Sequence, residues 1–295
     1  MDFGSQRHVV YGVDRRFVRP LTVSIASLVQ RTKDVTVHVF HGSDLRRYNF
    51  DRIKGFVARH GSRVVTHEVD LHAVQGLPTF ENFSSAAYLR LLAVDILAAD
   101  GLRKVLYLDA DVVTVDDLSP LFLMELRGAT IGAVAELSNA RNHVLGLAPD
   151  SPYFNSGVML IDVTEWSRQS VSQAAIRAVK SRPSDFIYVD QDALNVVLES
   201  RWLPLAPKFN VYTGFYRSKK PPPEVAAALE SPAIVHYTEG YKPWMLGSRH
   251  PAIHYWREAK RQSPLAWYPP EPPRLEKVVA VMKRKLMAQG RILRP

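Results

Sequence analysis

Residues 104–118 read KVLYLDADVVTVDDL, an apolar run that ends in acidic residues. Lys104 to Leu108 is short and almost entirely apolar, which is typical of a strand buried in a sheet. Upstream, strand patterns at 8–13, 35–40 and 63–69 alternate with helical patterns at 21–29, 44–60 and 84–100. Strands separated by helices of about 10 to 15 residues predict an open, mostly parallel α/β sheet flanked by helices. Ligands bind such sheets beyond the carboxyl ends of the strands, where Asp109 lies.

The second half of the chain is less regular. Strands are predicted at 131–135, 157–161 and 233–236, and helices at 163–181 and 192–199. The run Pro269-Pro270-Glu271-Pro272-Pro273 predicts a stiff, extended spacer, because each proline ring fixes its own backbone angle. We therefore expect a globular domain over 1–268, followed by a spacer and tail over 269–295.

The composition of the 295 residues is globular, with 46% hydrophobic and 23% charged residues, which excludes a wholly disordered or fibrous chain. Cysteine is absent, which excludes disulfides and thiolate metal sites and fits a reducing, cytoplasmic compartment. No secretory signal and no transmembrane run of about 18 apolar residues is visible. Positive charge without a basic, aromatic-interleaved stripe in the body does not favour nucleic-acid binding.

The net charge of +9 is concentrated at the C-terminal end, because residues 274–295 carry +6 and the rest of the chain +3. If 275–286 is helical, its apolar side chains share one face (Leu275, Val278, Val279, Met282 and Leu286). A basic amphipathic helix suits adsorption to an anionic membrane, with Trp267 and Tyr268 at the headgroup level. A helix packed on the body or in a dimer seam is the alternative. Adsorption through this helix would make the protein peripheral on the inner membrane face.

Asp109 and Asp111 are candidate metal ligands. Two residues apart in an extended backbone, their carboxylates point to the same side. Neighbouring carboxylates repel each other unless a cation lies between them. Oxygen ligands suit Mg²⁺ or Mn²⁺, which commonly hold substrate phosphates as well. Two solvated loop acids are the alternative explanation of the same spacing.

The letters Asp109-Ala110-Asp111-Val112-Val113 also fit a haloacid-dehalogenase-type phosphatase, in which the first aspartate is a nucleophile and the second a general acid and base. That family opens its core domain with this strand. Here about a hundred residues of strand and helix pattern come first, so the phosphatase is the minor alternative.

Three later segments combine polar side chains with a strand end or a helix start: YFNSGVMLI (153–161), YVDQDALN (188–195) and IVHYTEGYKPW (234–244). Each has a structural explanation of its own. Asn155 suits a turn, Asp190 or Asp192 suits a helix N-cap, and His236 suits a half-buried core position. The three segments indicate a functional site only when they are considered together with Asp109 and Asp111.

Taken jointly and in order, these motifs resemble family 8 of the retaining glycosyltransferases, which includes glycogenin and bacterial lipopolysaccharide α-glycosyltransferases. The resemblance covers about 8–267 and rests on VVYGVD, SSAAYLRLLAVDIL, LYLDADVVTVDDL, YFNSGVMLIDVTEW with DQDALN, and HYTEGYKPW. It implies the GT-A-type open sheet, a nucleotide-sugar donor and transfer with retention.

The resemblance also implies roles for individual residues. Asp109, Asp111 and His236 would hold the cation, usually Mn²⁺, or Mg²⁺. Asp190 and Gln191 would act at the anomeric carbon, with Asp190 as covalent nucleophile in a two-step alternative. The remaining residues would bind the donor: Tyr11 and Gly12 through their backbone, Asp14 through its carboxylate, and Arg90, Ala110, Asn155, Gly240 and Lys242.

Within that assignment, Lys242 would contact the diphosphate, and Asn155 would line the sugar pocket. Two departures from the family pattern concern donor binding. Arg16 stands where relatives show a small amide or carboxylate, and Glu239 where they mostly have glycine.

The implied activity is metal-dependent transfer of a hexose from UDP-glucose or UDP-galactose to a saccharide acceptor of the bacterial cell envelope. A leaving-phosphate oxygen can take the acceptor's proton, so no dedicated protein base is required. The alternatives are the phosphatase and a sugar-nucleotide-binding relative without transfer activity.

Overall fold

The computed structural model describes residues 7–74, 88–238 and 242–272. Its strands are β1 Arg7–Val13, β2 Val35–His41, β3 Arg63–Glu68, β4 Lys104–Leu108, β5 Val112–Thr114, β6 Ile131–Ala135, β7 Phe154–Asp162, β8 Trp202–Pro204, β9 Val211–Tyr212 and β10 Ile234–His236. Its α-helices are α1 Val18–Arg31, α2 Asp51–Arg59, α3 Leu89–Ala99, α4 Ser119–Leu123, α5 Asn142–Leu145, α6 Val163–Arg168, α7 Val171–Ser181, α8 Val189–Val197, α9 Thr213–Arg217, α10 Pro223–Glu230 and α11 Ile253–Arg261.

The central sheet has the strand order β3-β2-β1-β4-β7-β6-β8. Strands β3, β2, β1 and β4 pair in parallel, and β6 pairs in parallel with β8. Among the described strands of this sheet, β7 alone runs antiparallel to its neighbours. The predicted open, mostly parallel sheet is confirmed, and its carboxyl edge lies where β1 and β4 end.

A second, three-stranded sheet with the order β5-β10-β9 lies beyond that edge. Strand β5 follows the acidic turn after β4, and its Val112 pairs with His236 of β10. This pairing brings a histidine from far along the chain beside the two aspartates.

The core has a layer on each face of the central sheet, because side chains alternate along each strand. On β1, Val9 and Tyr11 pack with α1 residues such as Leu21, whereas Val10 packs with α3 residues such as Leu91. These layers of buried apolar side chains fix the strand ends that carry the polar residues.

Several predicted helix boundaries were wrong. The helix expected from residue 44 to 60 begins at Asp51, after a short 3₁₀ turn at Ser43–Leu45. The Asp51 amide donates a hydrogen bond to the side-chain oxygen of Asn49. This local turn competes with helix formation. The helix expected over 163–181 is two helices, α6 and α7, broken at Ser170, whose φ of 52° is left-handed. Helix α8 begins at Val189, three residues before the predicted start.

The proline-rich segment packs on the body as far as it is described. The Glu271 amide donates to the Trp244 carbonyl at 2.9 Å, and the Leu246 amide donates to the Glu271 carbonyl at 2.7 Å. The tail at 274–295, the predicted cap at 84–85 and Gly240 lie outside the described residues. The domain boundary after residue 268 therefore stays a prediction. Within the described residues, every helix is too short or too polar to span a bilayer.

Three histidines on neighbouring strands form a hydrogen-bonded chain, called here the histidine chain: His8, His38 and His67. His8 Nδ1 lies 3.0 Å from His38 Nε2, and His38 Nδ1 lies 3.0 Å from His67 Nε2. Burial, helped by the two flanking imidazoles and Arg63, lowers the pKa of His38 from 6.5 to about 3. Burial also lowers the pKa of His8 and the pKa of His67, so the three imidazoles are neutral at physiological pH.

Candidate active site

The two aspartates of the acidic strand end converge on one imidazole. The Asp109 amide continues the pairing of β4 by donating to the Gly157 carbonyl at 2.8 Å. His236 Nε2 lies 3.6 Å from Asp109 Oδ2 and 3.3 Å from Asp111 Oδ1. One ligand atom from each residue lies within 4.8 Å of the other two. The structure thus brings together the three residues predicted as metal ligands.

Hydrogen bonds fix the tautomer of His236. Asn155 Oδ1 accepts the Gly157 amide at 3.1 Å, which orients the Asn155 amide group. The same oxygen is 2.9 Å from Asn210 Nδ2, so Asn210 presents its Oδ1 to His236 Nδ1, at 3.0 Å. Because that oxygen can only accept, Nδ1 carries the proton and the Nε2 lone pair faces the two carboxylates.

This donor set fits a divalent cation. Two carboxylate oxygens and a neutral imidazole nitrogen suit Mn²⁺, and the second imidazole nitrogen has the polar partner that metal-bound histidines usually have. The cluster is also tightly packed. A Cβ added at Gly157 would lie 2.1 Å from His236 Cε1 and 2.7 Å from Asp109 Oδ2. Glycine is needed here because the imidazole and the carboxylate approach the backbone so closely.

Arg90 links the acidic strand end to helix α8. Its Nη2 lies 2.9 Å from Asp109 Oδ1, and its Nη1 donates to the carbonyl and hydroxyl oxygens of Ser156. Its Nε forms an ion pair with Asp190 Oδ2 at 2.5 Å. Arg90 is 7% exposed. Burial opposes its charge, but Asp109 and Asp190 outweigh burial and raise the pKa of Arg90.

Asp190 is a buried carboxylate at the start of α8, with 2% of its surface exposed. Burial raises the pKa of Asp190 to about 6, an effect that Arg90 opposes and Asp109 reinforces. The ion pair therefore orients Asp190 toward Arg90 in the region where the sequence predicted a residue acting at the anomeric carbon.

Lys242 contacts one of the predicted metal ligands. Its Nζ lies 2.5 Å from Asp111 Oδ2 and from the Tyr237 carbonyl oxygen. Burial alone would raise the pKa of Asp111, but Lys242 and His236 outweigh it and hold that pKa well below its usual range. A positive side chain predicted to meet a diphosphate thus lies beside the metal ligands.

Gln191 and Asn155 belong to one hydrogen-bonded group around Glu136. Glu136 Oε1 accepts from Asn155 Nδ2 at 2.9 Å and from Gln191 Nε2 at 3.1 Å. Gln191 Oε1 accepts the Ser156 amide at 3.1 Å. Burial raises the pKa of Glu136, although the two amide donors partly offset that effect. The predicted sugar-pocket residues are therefore oriented by their neighbours.

The donor-binding residues predicted at the end of β1 differ in their surroundings. Tyr11 is buried and its hydroxyl lies 3.1 Å from Ser24 Oγ, so its ring points into the core. Asp14 Oδ1 accepts the amides of Arg16 and Phe17, and Asp14 Oδ2 pairs with the Arg16 guanidinium at 3.1 Å. Arg16, the departure from the family pattern, thus engages the carboxylate predicted to bind ribose. Gly12 lies in β1, one residue before the strand ends at Val13.

Three residues that take part in the site were missed by the sequence analysis. Asn210 orients His236, Glu136 holds two amide side chains, and the Tyr107 hydroxyl donates to Asp109 Oδ1 at 3.0 Å. Tyr107 lies two residues before Asp109 and could have been found from that spacing. Asn210 and Glu136 follow no motif and carry no comparable signal. Ala110, predicted to contact the donor, is buried between the two aspartates.

Comparison with known proteins gives the family. The sequence profile of Glycosyl transferase family 8 matches residues 8–246, which include Asp109, Asp111 and His236. The chain belongs to glycosyl transferase family 8. The resemblance inferred from the five motifs is confirmed, and the chain is a glycosyltransferase by family.

Similar proteins come from several bacteria. The chain is 29% identical over 287 residues to the lipopolysaccharide 1,2-glucosyltransferase of Escherichia coli K12, covering 94% of this chain and 83% of that protein. It is 29% identical over 272 residues to the lipopolysaccharide 1,3-galactosyltransferase of Salmonella typhimurium, covering 87% and 78%. It is 28% identical over 256 residues to general stress protein A of Bacillus subtilis, covering 83% and 89%.

Among solved structures, the galactosyltransferase LgtC in complex with donor and acceptor sugar analogs is similar in fold. The TM-score is 0.75 at 24% identity, covering 87% of this chain and 96% of that one. At this identity the likeness concerns the fold, and it confirms the predicted GT-A-type sheet.

Proposed function

We propose that this family 8 chain is a divalent-metal-dependent, retaining hexosyltransferase. Its donor is UDP-glucose or UDP-galactose, and its acceptor is a saccharide of the bacterial cell envelope. The observation that carries the proposal is the convergence of Asp109, Asp111 and His236 on one place, with Lys242 beside them. The lipopolysaccharide glucosyl- and galactosyltransferases among the relatives support the hexose and the envelope role.

The charges at the site favour a cation together with an anionic donor. The carboxylates of Asp109, Asp111 and Asp190 face the cations of Arg90 and Lys242, which leaves one net negative charge. A diphosphate would be repelled by that balance, whereas a divalent cation reverses its sign. Donor binding should therefore require the cation. Mn²⁺ suits this site better than Mg²⁺ because one of the ligands is an imidazole.

The reaction builds negative charge on the leaving diphosphate and positive charge on the anomeric carbon. A cation held by Asp109, Asp111 and His236 supplies positive charge for the leaving group. Lys242 adds an ammonium group at the same place. The Gln191 amide and the Asp190 carboxylate can stabilise the sugar's positive charge.

Retention requires the acceptor hydroxyl to arrive on the face that the diphosphate leaves. A diphosphate oxygen can then accept the hydroxyl proton, so no protein base is needed. The burial of Asp190 and its ion pair with Arg90 favour this one-step route over a covalent intermediate on Asp190, because a nucleophile must reach the reacting carbon.

The phosphatase alternative finds no support in the site. As nucleophile, Asp109 would need a free carboxylate oxygen. Its Oδ1 accepts hydrogen bonds from Arg90 and Tyr107, and its Oδ2 faces His236. This arrangement suits a positioned metal ligand.

A panel of UDP-sugars tested for hydrolysis with and without Mn²⁺ tests the proposal. We expect UDP release with UDP-glucose or UDP-galactose, abolished by Asp109→Asn or Asp111→Asn. Asp116→Asn is the matched control, since this aspartate of the same stretch is exposed. Turnover at a near-normal rate in either site variant would reject the metal assignment, and donor binding without turnover would identify a non-catalytic relative.

The basic tail is proposed to adsorb the enzyme to the inner face of an anionic membrane from the cytoplasm, near its acceptor. Its sequence is the support, with +6 over 274–295 and apolar residues at helical spacing. Removal of these residues should lower co-sedimentation with anionic vesicles. Unchanged co-sedimentation would defeat this part of the proposal.

A further inference from the structure

A groove of about 260 Å³ lies on the body, and none of the three predicted metal ligands lines it. Its walls are helix α11, the segments 243–248 and 265–271, and the start of α1 at Arg19, Pro20 and Val23. Trp244 and Trp256 pack against each other at 5.0 Å between ring centroids and form an aromatic base. Apolar side chains therefore line a concave surface close to the point where the described chain ends, at Pro272.

Two large apolar side chains at this groove are open to solvent. Leu246, in its wall, is 60% exposed, and Trp267, next to the lining residues Ala266 and Tyr268, is 66% exposed. Large apolar side chains exposed beside an apolar groove indicate an interaction surface rather than scattered surface residues.

The groove is preformed by hydrogen bonds and ring contacts. Glu271 pairs with the backbone of Trp244 and Leu246, and Lys260 Nζ donates to the Ala266 carbonyl at 3.2 Å. The Arg19 guanidinium lies 3.9 Å from the centroid of the Tyr268 ring. A ligand would therefore enter an existing shape and would not have to order these segments.

The charge at the groove is positive. Four cationic residues line it (Arg19, Arg257, Lys260 and Arg261), against Glu271 as the acidic lining residue. Glu271 is paired with Arg19, and Arg261 is paired with Glu258 nearby. The positive charges of Arg257 and Lys260 are then left to attract an anionic ligand. The basic tail at 274–295 is disfavoured as the occupant because its +6 would be repelled.

We propose that this groove binds a membrane lipid, with an acyl chain over Trp244 and Trp256 and the anionic headgroup beside Arg257 and Lys260. Apolar lining and a cationic rim match the two ends of an anionic amphiphile. The body itself, and not only the tail, then contacts the membrane, on the face that carries α11. This inference does not depend on the sugar-transfer reaction.

The test uses tryptophan fluorescence of the full chain with vesicles of phosphatidylglycerol brominated on the acyl chains. The tail beyond 272 contains no tryptophan, whereas three of the five tryptophans lie at or beside the groove. Bromine quenches only nearby rings, so quenching reports insertion at the groove or at the exposed Trp267 beside it, and the variant Leu246→Asp separates the two. We expect marked quenching with these vesicles and none with brominated phosphatidylcholine. Vesicle binding without quenching would mean that the tail alone binds, and it would overturn the proposal, as would absence of binding.

Two substitutions make the test specific. Leu246→Asp should abolish most of the quenching, and Arg257→Glu should weaken vesicle binding at least about fivefold, as expected for loss of a surface cation near anionic lipid. Leu123→Asp is the matched control, since Leu123 on α4 is 79% exposed and does not line the groove. Both test sites are solvent-accessible, so the fold should be retained, which circular dichroism checks. Equal quenching in Leu246→Asp and the control would refute the groove.

Discussion

Gly157→Ala is expected to disable cation binding by displacing His236, at a cost of about 1 to 3 kcal/mol in stability. The new methyl group would lie 2.1 Å from His236 Cε1 and 2.8 Å from His236 Nδ1. Cβ contacts in proteins are rarely closer than 3.4 Å, so the imidazole would have to withdraw by roughly 1.3 Å. Neither partner can yield easily, because Gly157 lies in central strand β7 and His236 is held by Asn210 and by strand pairing.

The size of the effect follows from the tolerance of metal sites. Ligand distances must agree with their ideal values to within about 0.2 Å, and a shift of roughly 1.3 Å removes the imidazole from the ligand set. We expect Mn²⁺ affinity to fall by at least a factor of about 100, since even loss of an outer partner costs about 10- to 100-fold. A factor of 100 corresponds to about 2.7 kcal/mol of binding free energy.

Isothermal titration with Mn²⁺ measures the affinity, and thermal unfolding measures whether the variant is folded. Gly55→Ala is the control, because a Cβ on this helical glycine would meet nothing closer than Arg59 Nη1 at 3.7 Å. In helix α2 that change should stabilise the fold by up to about 1 kcal/mol and leave Mn²⁺ affinity unchanged. If Gly157→Ala bound Mn²⁺ as tightly as the parent, the assignment of His236 as a ligand would be wrong.

Other variants test the surroundings of the site and the core. Asn210→Leu should lower Mn²⁺ affinity about 10- to 100-fold with little change in fold, and an unchanged titration would contradict the role given to this side chain. Arg90→Met should destabilise the protein by about 3 to 5 kcal/mol in urea unfolding, because it leaves the buried Asp190 and the partly buried Asp109 without their cation. A loss smaller than about 1 kcal/mol would count against the ion pairs. Stability should fall as the pH drops from 6.5 toward 3, because unfolded histidines take up protons that buried His38 refuses. His38→Gln should flatten this dependence, measured as urea midpoints at pH 7 and pH 5, and an unaltered slope would contradict the neutral histidine chain.

The parts of the fold that the sequence predicted are those that depend on local pattern. The strand at Lys104 to Leu108 is apolar and ends at an acidic residue, and its bounds agree with β4. The predicted start of α2 at residue 44 was too early, because a polar turn around Asn49 competes with helix formation. The capping residues upstream do not reveal that competition. The break at Ser170 was missed for a related reason: a left-handed serine interrupts a pattern that remains apolar on both sides.

The site divides along similar lines. The two aspartates could be predicted because they lie two apart at a strand end, and their shared direction depends on local backbone. His236 could be predicted as a ligand only from the order of several motifs, since its place beside Asp111 depends on the pairing of β10 with β5. Lys242 was predicted near a diphosphate, but its contact with Asp111 depends on side-chain packing that spacing does not contain.

Asn210 shows why the remaining residues could not be predicted. Nothing in its surrounding sequence marks it, because its function is set by a series of bonds that begins at another strand. The Gly157 amide orients Asn155, Asn155 orients Asn210, and Asn210 determines which nitrogen of His236 carries the proton. Each step is a hydrogen bond between residues 2 to 55 positions apart, so the chemistry of the imidazole depends on contacts that exist only after folding. A search for metal ligands in sequence finds the atoms that bind, whereas the groups that fix their protonation must be found in the folded protein.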